Sequence, residues 1–321
     1  MDDWERYGGA AFMCTFYTFL GIAAAACNTV NLVILFSSKE LRQRLIYLIA
    51  LNIEEVINAI SFILVGYGRG YELEHGTLFM QTTVGDCFFQ KYWPHFLIIG
   101  TELPAYMMIL ISCERFFAVL LPIYYKRFFH QTYKYLLILT VPAAALISLM
   151  FAWLSAYNDR DRVVNSRHCF IIDSTGKWYS TFHFVIVVAA FFVSFLSFFV
   201  AWRIGKRLTT GNVLGRKHNL GLWMSIALSS TLLMSLPSFV MICKSRTTIA
   251  FNDIIVALTY AMPGFLSIAN TIMNFAFHDL FRHQFLSLIR LRKKPIGLAA
   301  VREGLQHTND KHHNSSKEGH H

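Results

Sequence analysis

Long apolar runs recur along this chain, each closed off by charged or turn-forming residues. Seven of them, at about 12–36, 45–68, 93–119, 133–156, 180–202, 220–242 and 253–277, reach the length needed to cross a bilayer as a helix, roughly 18 residues or more. Inside lipid the backbone must satisfy its own hydrogen bonds, and a helix does this within one segment. The pattern therefore predicts an all-α membrane protein, a seven-transmembrane helix bundle spanning 12–291, with a short extracellular N-terminus (1–11) and a tail (292–321). After the seventh run the spacing changes character. Leu280, Phe281, Phe285, Leu288 and Ile289 fall on one broad helical face, with Arg282 and Arg290 placed for lipid phosphates. This predicts a short amphipathic helix lying on the membrane.

Composition agrees. Of 321 residues 55% are hydrophobic and only 15% charged, where soluble chains carry about 25% charged residues. The formal charge of +10 is unevenly distributed. Lys39, Arg42 and Arg44 follow the first run, Lys126, Arg127 and Lys134 the third, Arg203, Lys206, Arg207, Arg216 and Lys217 the fifth, and Arg282, Arg290, Arg292, Lys293 and Lys294 the seventh. The intervening segments hold more acids, including Asp2, Asp3, Glu5, Glu72, Glu74 and Asp86. Basic loops stay in the cytoplasm, so the N-terminus is expected outside and the tail inside. Charges gathered at membrane edges argue against a nucleic-acid partner. The first residues are acidic where a cleavable signal would be basic, so the first run is expected to serve as its own membrane signal. The tail beyond Arg302 is polar and rich in histidine, a composition of solvated coil.

Polar residues inside apolar runs are expensive and point to function. Arg115 stands at the end of the third run beside Glu114; it either snorkels to phosphates or forms a releasable pair. Glu54 and Glu55 lie near the middle of the second run, and Asn58 shares a helix face with either. Glu102 sits beside Pro104 in the third run, and His183 enters the fifth. Pro237 interrupts the backbone ladder of the sixth and should bend it. No His-Glu-x-x-His or Gly-x-Ser-x-Gly motif occurs, and no enzyme activity is expected.

The string Cys113-Glu114-Arg115-Phe116, followed by Ala118-Val119-Leu120-Leu121-Pro122-Ile123-Tyr124-Tyr125, resembles the end of helix III and the second intracellular loop of rhodopsin-like (class A) G-protein-coupled receptors. Other positions depart from that family. Ser235 replaces the tryptophan two residues before Pro237, and Asn270-Thr271-Ile272-Met273-Asn274 stands for Asn-Pro-x-x-Tyr. Lys217 cannot offer an acid to Arg115. Such departures are similar to those of divergent chemosensory branches, particularly nematode serpentine chemoreceptors.

The resemblance implies a coupling switch built from Glu114, Arg115, Phe116, Pro122 and Tyr124, with a heterotrimeric G protein as partner. It implies a polar core and hinges at Asn31, Glu54, Glu55, Asn58, Pro237, Asn270 and Asn274, with a sodium ion near Glu54 or Glu55 as the one cofactor it suggests. Cys87 and Cys169 both fall on the oxidising side, at the two locations that the family joins by a disulfide. Cys87 lies 28 positions before Arg115, about three more than the family pattern, and Pro94 marks the expected helix start with Cys87 in the loop before it. Glu102 and His183 are the candidate contacts for a small extracellular ligand in an aromatic cavity. The expected function is a chemosensory receptor of the plasma or sensory membrane. A seven-span transporter or ligand-gated channel using Glu54, Glu55 and Glu102 is the alternative.

Overall fold

The computed structural model describes residues 3–128, 130–208, 214–246 and 253–289. The expected tail 292–321 with its histidines, and Arg290, lie outside those residues, and the side chains of Lys206, Arg207, Arg216 and Lys217 are not described. Helices dominate: α1 Asp3–Phe36, α2 Lys39–Arg44, α3 Ile46–Glu74, α4 Trp93–Leu120, α5 Pro122–Phe128, α6 Gln131–Asn158, α7 Ile171–Ser174, α8 Lys177–Leu208, α9 Leu214–Arg246, α10 Asp253–Phe277 and α11 Asp279–Leu288. Six of the seven long helices (α1, α3, α4, α6, α8 and α9) contain described stretches apolar and long enough to cross a membrane. The seventh, α10, is 25 residues long and packs between α1 and α9.

The first helix is longer than its apolar run. It begins at Asp3, so most of the segment expected as an extracellular N-terminus continues the helix, and the Tyr7 hydroxyl donates to the Leu73 carbonyl at 2.8 Å. The amphipathic segment is helical over Asp279–Leu288, and the His278 side chain caps it by accepting from the Phe281 amide at 3.4 Å. Its apolar arc divides by task. Phe281 and Phe285 meet Phe275 of α10 edge-on, with ring centroids 5.1 and 4.8 Å apart, whereas Leu280, Leu288 and Ile289 stay exposed as lipid anchors.

Close helix contacts rest on small residues, as expected where lipid removes the hydrophobic drive between helices. A Cβ added to Gly66 of α3 would fall 2.2 Å from Thr18 Oγ1 and 2.7 Å from the Cys14 carbonyl of α1. One at Gly100 of α4 would fall 2.8 Å from Ser61 Oγ of α3. At the opposite extreme α6 touches few neighbours, and Leu139, Ile147, Met150 and Phe151 on it are exposed, as suits a rim helix in lipid.

One end of the bundle is closed by a pinned loop. Thr82–Thr83 pairs antiparallel with Val163–Val164, and a π-helical turn, Asp86–Gln90, carries Cys87. Cys87 is bonded to Cys169. Cys169 has φ +47°, a left-handed conformation that a non-glycine residue holds only where its surroundings enforce it. As the proline placement suggested, α4 starts at Trp93 and leaves Cys87 before it.

Candidate functional site

Arg115 lies at the end of the bundle opposite the disulfide. Its Nε is 3.1 Å from Glu114 Oε2, an ion pair between helix neighbours whose side chains diverge by about 100°, so the two groups meet without an aligned hydrogen bond. Glu114 is buried, and its other oxygen accepts from the Tyr125 hydroxyl of α5. Burial, then the Glu114 charge, pushes the Tyr125 phenol above its ordinary range and keeps it a donor. Lys134 of α6 lies 5.9 Å from the Tyr47 ring of α3 and 6.0 Å from the Tyr125 ring, within cation–π reach of both. Of the tyrosine pair, it is Tyr125 that reaches Glu114; Tyr124, the one the sequence pointed to, is exposed. Pro122 opens α5 and is exposed, and Phe116 is half-buried. The sequence hid this division because two adjacent tyrosines leave the phase of a short loop helix undetermined.

Toward the middle, α1, α3 and α10 share a polar core. Asn31 Nδ2 donates both to Asn52 Oδ1 and to Thr271 Oγ1, each at 2.9 Å. Thr271, standing where the family carries proline, thus supplies an acceptor that a proline ring lacks. Asn270 donates to Glu55 Oε1. Of the two adjacent glutamates, Glu55 is the one turned to α10, while Asn58 faces α4 at Gly100. Glu54 is buried as well. Several oxygens here carry no hydrogen-bond partner among the described residues: Glu54 Oε2, Glu55 Oε2, Asn270 Oδ1 and Asn274 Oδ1. Buried acceptors in such number are costly unless water or a cation joins them.

Nearer the disulfide end, a second buried network joins α4, α6 and α8. Glu102 Oε1 accepts from Ser148 Oγ at 2.8 Å and from the Tyr179 hydroxyl at 3.3 Å, and lies 2.8 Å from His183 Nδ1. His183 Nε2 is 3.2 Å from Thr101 Oγ1. Glu102 and His183 were separate candidates in the sequence, and the fold makes them one pair, both almost wholly enclosed. Ser148, Tyr179 and Thr101 carry no signal in the sequence, since only the bundle geometry brings them to this pair.

A narrow cavity opens beside this network. Its wall is Thr101 of α4, His183 and Phe184 of α8, Met234 and Pro237 of α9, and Pro263 of α10, among others. His183 lines it and Glu102 does not. Both α9 and α10 therefore carry a proline at the cavity wall, and Pro263 supplies α10 with the interior proline that position 271 lacks.

Above the cavity lies Arg69, which no motif in the chain marks. This buried arginine of α3 donates from Nε to the His168 carbonyl at 2.8 Å, beside the disulfide, and its guanidinium lies 4.2 Å from the Phe170 ring centroid. Trp93 Nε1 donates to the same carbonyl at 3.3 Å. Glu72, one turn on, binds Lys91 and accepts from Thr77, with Arg167 at 3.5 Å. A lone arginine near the end of an apolar run was the available signal.

The family model described as serpentine type 7TM GPCR chemoreceptor Srsx matches residues 19–262, from the first long helix into the seventh. No curated protein matches the chain. Among the described residues no group of three or more His, Cys, Asp or Glu side chains is arranged to hold a metal ion.

Proposed function

Because this chain belongs to the serpentine type 7TM GPCR chemoreceptor family Srsx, we propose that it converts binding of a small extracellular ligand into activation of a heterotrimeric G protein at its Arg115 end. It does so in the plasma or sensory membrane, with the disulfide end outside. The observation that carries this reading is the three-residue lock in which Tyr125 and Arg115 divide the two oxygens of buried Glu114. Movement of α4 against α5 takes Glu114 away from the Tyr125 hydroxyl, and the loosened carboxylate lets Arg115 exchange its contact for one with a partner protein. Ligand binding near Pro237 and Pro263 shifts the equilibrium by its differential affinity for the two helix arrangements.

We further propose that the α3–α10 polar core takes a sodium ion in the resting arrangement. Glu55, Asn270 and Asn274 offer buried oxygens of the hard type that sodium prefers, and a cation there offsets their desolvation. The ion supplies charge compensation only.

The coupling test is nucleotide exchange on purified heterotrimers by the full-length receptor in nanodiscs. Glu114→Gln should raise ligand-independent exchange for at least one G-protein class, and adding Arg115→Ala should abolish it. Exchange that survives Arg115→Ala rejects the role of that residue. Ion currents through receptor-only bilayers, with no exchange, favour the channel.

A further inference from the structure

The pairing of His183 with Glu102 fixes which hydrogen-bonding group the cavity offers. Both side chains are almost wholly enclosed, and their contact runs from Nδ1 to Oε1 at 2.8 Å. An uncompensated charge at this depth is strongly disfavoured, so the pair is neutral overall. Neutrality requires two protons on Glu102 and His183 together. One occupies the Nδ1–Oε1 contact, whether it resides on nitrogen or oxygen. Glu102 Oε2 has no hydrogen-bond partner among the described residues, so a proton there is left without an acceptor, and the other proton sits on Nε2, the ring nitrogen on the side away from Glu102. Without a ligand the Thr101 hydroxyl receives it, since that hydroxyl donates its own proton to the Leu97 carbonyl at 2.8 Å and leaves a lone pair toward Nε2 at 3.2 Å; a ligand oxygen in the cavity takes the Nε2 proton over from Thr101.

His183 and Thr101 both line the cavity. The remaining wall is apolar in the main, with Phe184, Met234, Pro237 and Pro263, and no acid is among the described lining residues. Ser238, also in the wall, sends its proton to its own helix at the Met234 carbonyl, 2.8 Å away. Glu102 turns Oε1 to Ser148, Tyr179 and His183, and it does not line the cavity, so its carboxylate is not placed to meet a ligand ammonium.

We infer that this cavity selects small, uncharged, mostly apolar ligands bearing a hydrogen-bond acceptor such as a ketone or ether oxygen, recognised by His183 Nε2–H. The inference rests on the receptor reading above for its biological meaning. Glu102 is a positioning residue: by holding Nδ1 it keeps the Nε2 proton in place. A cationic amine meets no counter-charge in the cavity, and a carboxylate must shed its water against an apolar wall with one donor in return. The cavity holds about 20 Å³, room for about one water, so an occupant enters only as the prolines of α9 and α10 allow the helices to part.

The test is saturation-transfer NMR on the full-length receptor in nanodiscs, without G protein. Four matched fragment sets of about ten heavy atoms or fewer are compared: neutral ketones and ethers, alkanols, primary amines, and carboxylates. Ketones and ethers should supply most of the binders, and His183→Phe should weaken them about tenfold, the effect of losing one hydrogen bond in a dry site. Glu102→Gln is nearly isosteric and guards against a folding failure of the first variant. Ser148 keeps the amide oxygen toward Nδ1, so the ring proton moves to Nδ1 and Nε2 becomes an acceptor; preference should then shift from ketones to alkanols. Dominance by amines or carboxylates, binding unaffected by both variants, or no binding from any set overturns the inference. The Arg115 exchange assay needs no ligand, so its success alongside such a failure removes the ligand class while leaving the receptor reading intact.

Discussion

Tyr125 and Arg115 hold opposite oxygens of one buried carboxylate, that of Glu114. A hydrogen bond to a charged group contributes about 1.5–3 kcal/mol, so Tyr125 stabilises the resting arrangement by more than the exposed ion pairs elsewhere on the chain. Removing only the hydroxyl, in Tyr125→Phe, should raise ligand-independent nucleotide exchange by about tenfold or more. Tyr124→Phe should leave exchange unchanged, because that ring is exposed. The raised phenol value also sets a pH expectation: the donor is fully present below the ordinary value of about 10 and is lost only above it. Exchange by the wild type should therefore show no step between pH 6 and 9 from this residue, and a step that disappears in Tyr125→Phe contradicts the assignment.

Glu55 and Asn270 form the α3–α10 link. Asn270→Leu leaves a buried carboxyl without its donor and should lower stability by about 1–3 kcal/mol, whereas Glu55→Leu with Asn270→Leu should recover most of the loss. Thermal unfolding in nanodiscs measures both. If sodium occupies this core, the wild type should also melt higher in sodium chloride than in choline chloride, and Asn270→Leu should lose that difference. Equal melting in the two salts argues for water at these oxygens instead.

The helical layout was legible in the chain because each span is a long unbroken apolar run, and lipid permits few other solutions. The amphipathic segment was legible from its change of period. Partnerships between spans were not. Glu102 and His183 are 81 positions apart, and Asn31 and Thr271 are 240 apart; their meeting depends on helix rotation, which apolar runs leave almost unspecified. The same ambiguity explains why Glu54 and Glu55 could not be ranked, and why Tyr124 stood in for Tyr125. An apolar run does not show where α1 begins: Asp3, Trp4, Glu5 and Arg6 are too polar for a membrane run yet continue the helix.

Gly66 and Gly8 provide a paired test of how α1 meets α3. Any side chain at Gly66 collides with the Cys14 backbone and Thr18, and a backbone cannot yield as a flexible side chain does. Gly66→Leu should abolish delivery to the cell surface, measured by labelling an N-terminal tag on intact cells. Gly8→Ala meets nothing within 4 Å and should be delivered normally. Normal delivery of Gly66→Leu would show that the first and third helices pack differently. Labelling of the wild type without permeabilisation checks the external N-terminus in the same experiment.

Arg69 ties α3 to the loop that carries Cys169 through one carbonyl and one aromatic face. A lysine keeps the charge but not the planar fork, so it cannot donate to His168 while lying over Phe170. Arg69→Lys should therefore lower stability by about 1–3 kcal/mol even though net charge is unchanged. Hydrogen exchange offers the sharper readout. Amides around 163–171 should lose protection in the variant, while those of α6 should stay at wild-type rates, since among the described residues Arg69 meets His168, Phe170 and Tyr17. The disulfide limits how far the loop can move, so loss of protection should be confined to this stretch. Uniform loss across the bundle would mean that Arg69 supports the core as a whole, and unchanged protection would mean that Cys169 and Trp93 suffice to hold the loop without it.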